Sequence, residues 1–156
     1  MISLMEEPKI ETRAPRTKPL TKWMKFVLRF VAAFNIGAGL FMLIGYHETY
    51  QFIGMDKPDR SFPIQLVGIL VGLFGVGYYL VLKNPIENRA LLALGFWSKF
   101  LGSCLGTGYV LMDKLPLKFV AVYFFADVIY LVPFYLILRR LYALARERDA
   151  NSKSKL

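Results

Sequence analysis

Residues 90–138 decide how this chain is read: ALLALGFWSKFLGSCLGTGYVLM (90–112), the link DKLP (113–116), then LKFVAVYFFADVIYLVPFYLIL (117–138). As a helix rising about 1.5 Å per residue, each apolar run crosses a bilayer core of roughly 30 Å. Each run also carries one charge near its middle, Lys99 in the first and Asp127 in the second. An ionised side chain near the bilayer centre costs about 2.5–3.5 kcal/mol on insertion scales, so each charge needs a partner or a task.

Outward from this pair of runs, the same pattern repeats. KFVLRFVAAFNIGAGLFMLIGY (25–46) and IQLVGILVGLFGVGYYLVL (64–82) are two further apolar blocks. Apolar residues make up 56% of the 156, and gathering them into four uninterrupted blocks is the mark of a polytopic membrane protein. Strands of a membrane barrel would alternate with period two over about ten residues, and no such alternation is present. The expected fold class is therefore all-α, an integral membrane four-helix bundle. Its single transmembrane domain covers 22–140, with spans near 23–46, 64–82, 90–112 and 117–138. Residues 1–21, with Pro8, Pro15 and Pro19, read as a mobile cytoplasmic tail, and 141–156 as a basic cytoplasmic tail entered by a continuing helix. The first span is too long for the apolar core of a cleaved signal and lacks an A-x-A site after it, which predicts a retained signal-anchor.

Charge sets the expected orientation. Of twenty Lys and Arg, fifteen lie before or at the start of span one, between spans two and three, or after span four. Only Lys57, Arg60, Lys114 and Lys118 fall in the other two links, and Lys99 is intramembrane. This asymmetry places both termini in the cytoplasm. The basic ends suit an anionic lipid surface, and nucleic acid is not expected as a partner.

Several chemistries drop out. Cys104 is the only cysteine, which excludes an intrachain disulfide and a CxxC redox pair. It reads as a small packing residue. His47 is the only histidine and sits at the end of span one, so bis-histidine haem and a His-rich metal site are excluded. With Glu48 it forms an interfacial solvated pair. No catalytic triad, HExxH, paired carboxylates or phosphate loop is present, so no catalytic residue, metal ligand or cofactor is assigned.

Glycine spacing marks the expected helix contacts. Gly68, Gly72 and Gly75 share one face of span two, and Gly95, Gly102 and Gly106 share one face of span three. Span one adds Ala33, Gly37 and Gly39. Small residues at such spacing let membrane helices approach through their backbones. Lys99 falls on the stripe of span three, between Gly95 and Gly102, and so points at a neighbouring helix. With antiparallel spans, Lys99 lies within about 3 Å of the depth of Asp127. Asn35 lies at the midpoint of span one. A polar centre of Lys99, Asp127 and Asn35 at the bilayer midplane follows. Two readings fit it: a buried pair that sets helix register, and a site for a proton, an ion or a polar ligand head. Pro133 bends span four beyond Asp127. Tyr78, Tyr109, Tyr123 and Tyr130 are candidates to reach the polar plane or line a lipid-tail cavity.

These residues carry a resemblance. Gln65-x-x-Gly68-x-x-x-Gly72-x-x-Gly75-x-Gly77-Tyr78, Pro85 and Arg89 resemble a widespread, uncharacterised bacterial family of small four-span membrane proteins. So do Gly95-x-x-x-Lys99-x-x-Gly102, Leu115-Pro116 and Asp127-Val128-Ile129-Tyr130-x-x-Pro133-Phe134, over about residues 26–138. Members often carry a borrowed label, alkyl hydroperoxide reductase, and in general shape they are similar to DoxX-like four-helix proteins. The resemblance implies a multi-pass protein of the bacterial inner membrane and no assigned reaction. The expected function is non-enzymatic: an accessory or lipophilic-ligand-binding protein among membrane lipids, in a homo-oligomer or a larger complex. The alternative is a small transporter or proton pathway using Lys99 and Asp127, which with four helices calls for a dimer. An enzyme using Asp127 as acid or base is the least supported reading.

Overall fold

The computed structural model describes residues 18–53, 56 and 60–154. Six α-helices carry these residues: α1 (Lys22–Ile44), α2 (Tyr46–Ile53), α3 (Phe62–Lys83), α4 (Arg89–Leu111), α5 (Lys118–Tyr123) and α6 (Ile129–Lys153). A π-helical turn, Phe124–Val128, joins α5 to α6, so the last membrane-length helix runs from Lys118 to Lys153. No strand occurs among the described residues. The all-α reading holds, and α1, α3, α4 and the α5–α6 helix are each long and apolar enough to cross a membrane.

Local chemistry sets the breaks. Gly45 ends α1, its N–H bonding Phe41 O, and its own carbonyl then receives Thr49 N–H of the short α2. Pro63 sits in the first turn of α3, where a missing N–H costs nothing. After α4, Asp113 adopts a left-handed φ of 56°. There Lys114 N–H bonds Tyr109 O, a closure that satisfies carbonyls at a helix end.

Packing is uneven along the bundle. Near the end where both described termini lie, Leu28, Val31, Val81, Leu92, Phe134, Ile137 and Leu141 are fully buried. Tyr78 joins them, its ring meeting Phe134 edge-on at 5.1 Å. Leu20 is also buried, and Arg140 holds the chain before α1 by bonding Pro19 O and Lys18 O. Residues 18–21 are thus seated on the bundle, while the rest of the expected N-terminal tail lies outside the described residues. At the other extreme α6 passes well beyond 140, and its Leu141 and Ala145 are buried, so the bundle takes in the first turns of the expected C-terminal tail.

The closest helix pair is α1 with α3. A Cβ added at Gly39 would lie 2.5 Å from Gly68 O and 2.7 Å from Gly72 N, and one at Gly75 would lie 2.8 Å from Ala32 O. These are backbone-to-backbone contacts, the geometry that small residues permit between membrane helices. Outward-facing positions such as Phe26, Phe30, Leu73, Leu101, Leu105 and Val132 are large, apolar and exposed. On a helix bundle of this length that belt is a lipid-facing surface.

Candidate functional site

Midway along the bundle, Lys99 Nζ lies 2.7 Å from Asp127 Oδ1 and donates a second 2.7 Å hydrogen bond to Ala126 O. The ammonium also stands 5.5 Å from the Tyr130 ring centroid, within cation–π range. Lys99 is buried, at 7% exposure, whereas Asp127 keeps 29%. The two charges that stood alone in their apolar runs therefore neutralise each other across α4 and the π turn. Charge-assisted bonds of this length are the strong class, and desolvation around them strengthens the attraction.

The π turn explains how one lysine reaches two acceptors. Ile129 N–H bonds Phe124 O, five residues back, so the turn is wider than an α-turn and shifts the carbonyl register beside Asp127. Pro133 in α6 lacks an N–H, which loosens the ladder one turn further on. The backbone carbonyl of Ala126, within this turn, faces Lys99. No side-chain pattern in the sequence announces that carbonyl; the only hint is a proline six residues after an intramembrane aspartate.

Asn35 is brought to the same place and is buried, but its amide Nδ2 donates to Val31 O of its own helix at 2.8 Å. Among the described residues it makes no hydrogen bond to Lys99 or Asp127. It stands beside the pair as a wall residue.

That wall belongs to a cavity of about 940 Å³. Asn35, Lys99 and Asp127 line it where it meets the packed half of the bundle, together with Tyr78. From there it runs toward α2 and α5, between Phe34, Phe41 and Phe74 on one side and Phe119, Tyr123 and Phe125 on the other. Thr49, Phe52 and Lys118 line its far end. The fully buried side chains around Phe134 and Ile137 close the terminal half. The cavity thus runs from the ion pair toward the α2 and α5 end of the bundle. Its size is at the upper part of the range that holds small ligands, and its chemistry, apolar walls around a few convergent polar groups, is that of such sites.

The other candidates separate into groups. Gly68 and Gly75 touch α1 as described. Gly72 presents its backbone to Gly39, but a side chain at Gly72 would itself meet nothing within 4 Å, so its own face of the stripe is not a contact. Gly95 faces the Tyr78 ring, in contact with its hydroxyl. A Cβ added at Gly106 would make ordinary contact with Phe119 and Tyr123. Gly102 departs from the stripe reading: its missing side chain points into open space, and it lines the cavity. Tyr123 also lines the cavity and shares a 2.9 Å hydrogen bond with Thr107 across to α4. Tyr109 lies apart, exposed beside Lys114. Gln65 bonds Leu43 O, tying α3 to the end of α1. Cys104 is exposed, and His47 packs edge-on against the neighbouring Tyr46 ring rather than in the cavity. No cluster of three or more His, Cys, Asp or Glu suited to a metal occurs among the described residues. What sequence reasoning missed is α2 as a cavity wall, through Thr49 and Phe52.

The fold and this site together define a multi-pass membrane helical bundle with a buried ion pair in the lining of a large apolar cavity. No family model, curated protein or solved structure matches the chain.

Proposed function

We propose that this protein is a non-enzymatic component of the bacterial inner membrane that holds a lipophilic ligand in the cavity above Lys99 and Asp127. One observation carries the reading: a cavity of about 940 Å³ with largely apolar walls contains a charge pair in its lining, beside the buried core around Phe134. A pair that served register alone would be packed on all sides, as the Phe134 core is. Here Asp127 remains partly exposed to a space large enough for a ligand. With the basic termini in the cytoplasm, the end of the cavity lined by Thr49 and Phe52 of the short α2 lies toward the opposite face. The resemblance to small four-span bacterial proteins agrees with this setting, and membrane lipids with a second copy or a larger complex are its partners.

The test is recovery of what the cavity holds. The protein purified in mild detergent is extracted and the extract identified by mass spectrometry, alongside Gly102→Leu. A Cβ at Gly102 meets nothing within 4 Å, so the leucine side chain is directed into the cavity that Gly102 lines. The expected result is about one lipophile per chain in the native protein, lost in the variant with little change in melting temperature. An empty native protein, or equal occupancy in both, refutes the reading.

A second reading, a small dimeric transporter or proton pathway through Lys99 and Asp127, draws on the π turn and Pro133, a weak point beside the pair. It requires the packed terminal half to open. Proton flux into vesicles carrying the protein, abolished by Asp127→Asn, separates it from binding alone.

A further inference from the structure

The bonding positions left over at the polar centre specify the head of the ligand. A lysine ammonium has three donors, and Lys99 uses two of them within the protein, on Asp127 Oδ1 and Ala126 O. Among the described residues, Asp127 Oδ2 receives no hydrogen bond. Asn35 spends its Nδ2 on Val31 O, and its Oδ1 receives none. All three residues line the cavity. These three residues therefore offer one donor and two acceptors to whatever lies above them. Beside them, the Tyr78 hydroxyl also lines the cavity and makes no hydrogen bond among the described residues.

Charge narrows the choice further. Lys99 and Asp127 sum to zero, so an ionic head gains no net field to offset the hydration it loses on entering apolar walls. A carboxylate or phosphate beside the ammonium would also meet Asp127 Oδ2, and a quaternary ammonium would meet Lys99. An ester or ketone only accepts; it would use the one donor and leave two acceptors unpaired. A hydroxyl both donates and accepts, and two adjacent hydroxyls match what Lys99, Asp127 and Asn35 leave open. The nearest further charge lining the cavity is Lys118, nine residues before Asp127. At 1.5 Å per residue it stands roughly 13 Å away, at the other end.

Resting on the ligand-binding reading above, we propose that the cavity takes an uncharged lipophile headed by a hydroxyl or a 1,2-diol. Its head sits on Lys99, Asp127 and Asn35, and its chain runs toward α2 and α5.

Four probes with matched chains test this: hexadecane-1,2-diol, palmitate, methyl palmitate and hexadecyltrimethylammonium. Binding of each to the full chain is measured by native mass spectrometry from mild-detergent micelles. The diol is expected to bind at least tenfold more tightly than each of the others. Asp127→Asn keeps the side-chain size but leaves Lys99 unbalanced, so the preference should move to palmitate by tenfold or more. Lys118→Met should leave the ranking unchanged. Palmitate or the ester binding best to the native protein overturns the proposal, as does palmitate binding that vanishes in Lys118→Met, which would put the head at the far end. Equal binding of all four, blocked by Gly102→Leu, overturns the head assignment and leaves the cavity reading standing. No binding of any probe overturns both. The native ranking needs no variant, so it decides the matter even should Asp127→Asn fold poorly.

Discussion

Splitting the central pair should cost the two partners unequally. Asp127→Leu removes one of the two 2.7 Å bonds to Lys99 and strands an ammonium that is 7% exposed, with only Ala126 O and the Tyr130 ring beside it. Leaving a buried charge without its counter-ion costs about 3–5 kcal/mol. Lys99→Met strands Asp127, which keeps 29% exposure toward the cavity. Water reaching it there lowers the cost, to about 2–3 kcal/mol, and Ala126 O loses its donor besides. The double variant removes both charges and leaves only that carbonyl, so it should sit about 1–2 kcal/mol below the native protein. The coupling energy is then about 3–7 kcal/mol, well above what non-interacting sites show. Reversible unfolding by SDS titration in mixed micelles, run on all four proteins, gives the cycle. Additive losses would refute a direct pair. A larger loss for Lys99→Met than for Asp127→Leu would refute the asymmetry argued from the cavity. Full recovery in the double variant would show that the Ala126 carbonyl does not depend on Lys99.

Two further outcomes follow from packing and charge. Gly39→Ala puts a Cβ against backbone of both Gly68 and Gly72, where nothing flexible can yield, and should destabilise the bundle by about 2–3 kcal/mol. Gly102→Ala meets no neighbour and, by helix propensity, should be neutral or stabilising by up to about 1 kcal/mol; equal melting shifts for the two would show that α1 and α3 do not meet through Gly39. For orientation, on a Cys104→Ser background, a cysteine replacing Ser154 should be shielded from impermeant thiol reagents in intact cells, and one replacing Asp56 should react. The reverse labelling pattern would place the cavity mouth on the cytoplasmic side.

Much of the pair was legible because depth along a membrane helix is a matter of counting. Lys99 and Asp127 sit at matching distances from the short link between their runs, and two isolated charges in an apolar solvent have few alternatives to each other. The glycine stripes were legible only in part. Spacing shows that Gly95, Gly102 and Gly106 share a face, yet that face meets Tyr78 at one level, open space at the next and Phe119 at the third. Periodicity reports direction around a helix and carries no information on how far away the neighbour stands.

The amino-acid sequence by itself determined the four spans, the all-α class and the partners in the ion pair, since each follows from run length, hydropathy and helical rise. Only the tertiary structure decided that the pair lines a cavity. That depends on three things no local pattern encodes. The packed half of the bundle ends at Tyr78, α2 folds back as a wall, and the π turn delivers a backbone carbonyl to Lys99. Asn35 shows the same division. Its depth was readable from position, but its amide had a nearer acceptor in Val31 O, and a helix's own carbonyl four residues back competes on equal terms with any partner across the bundle.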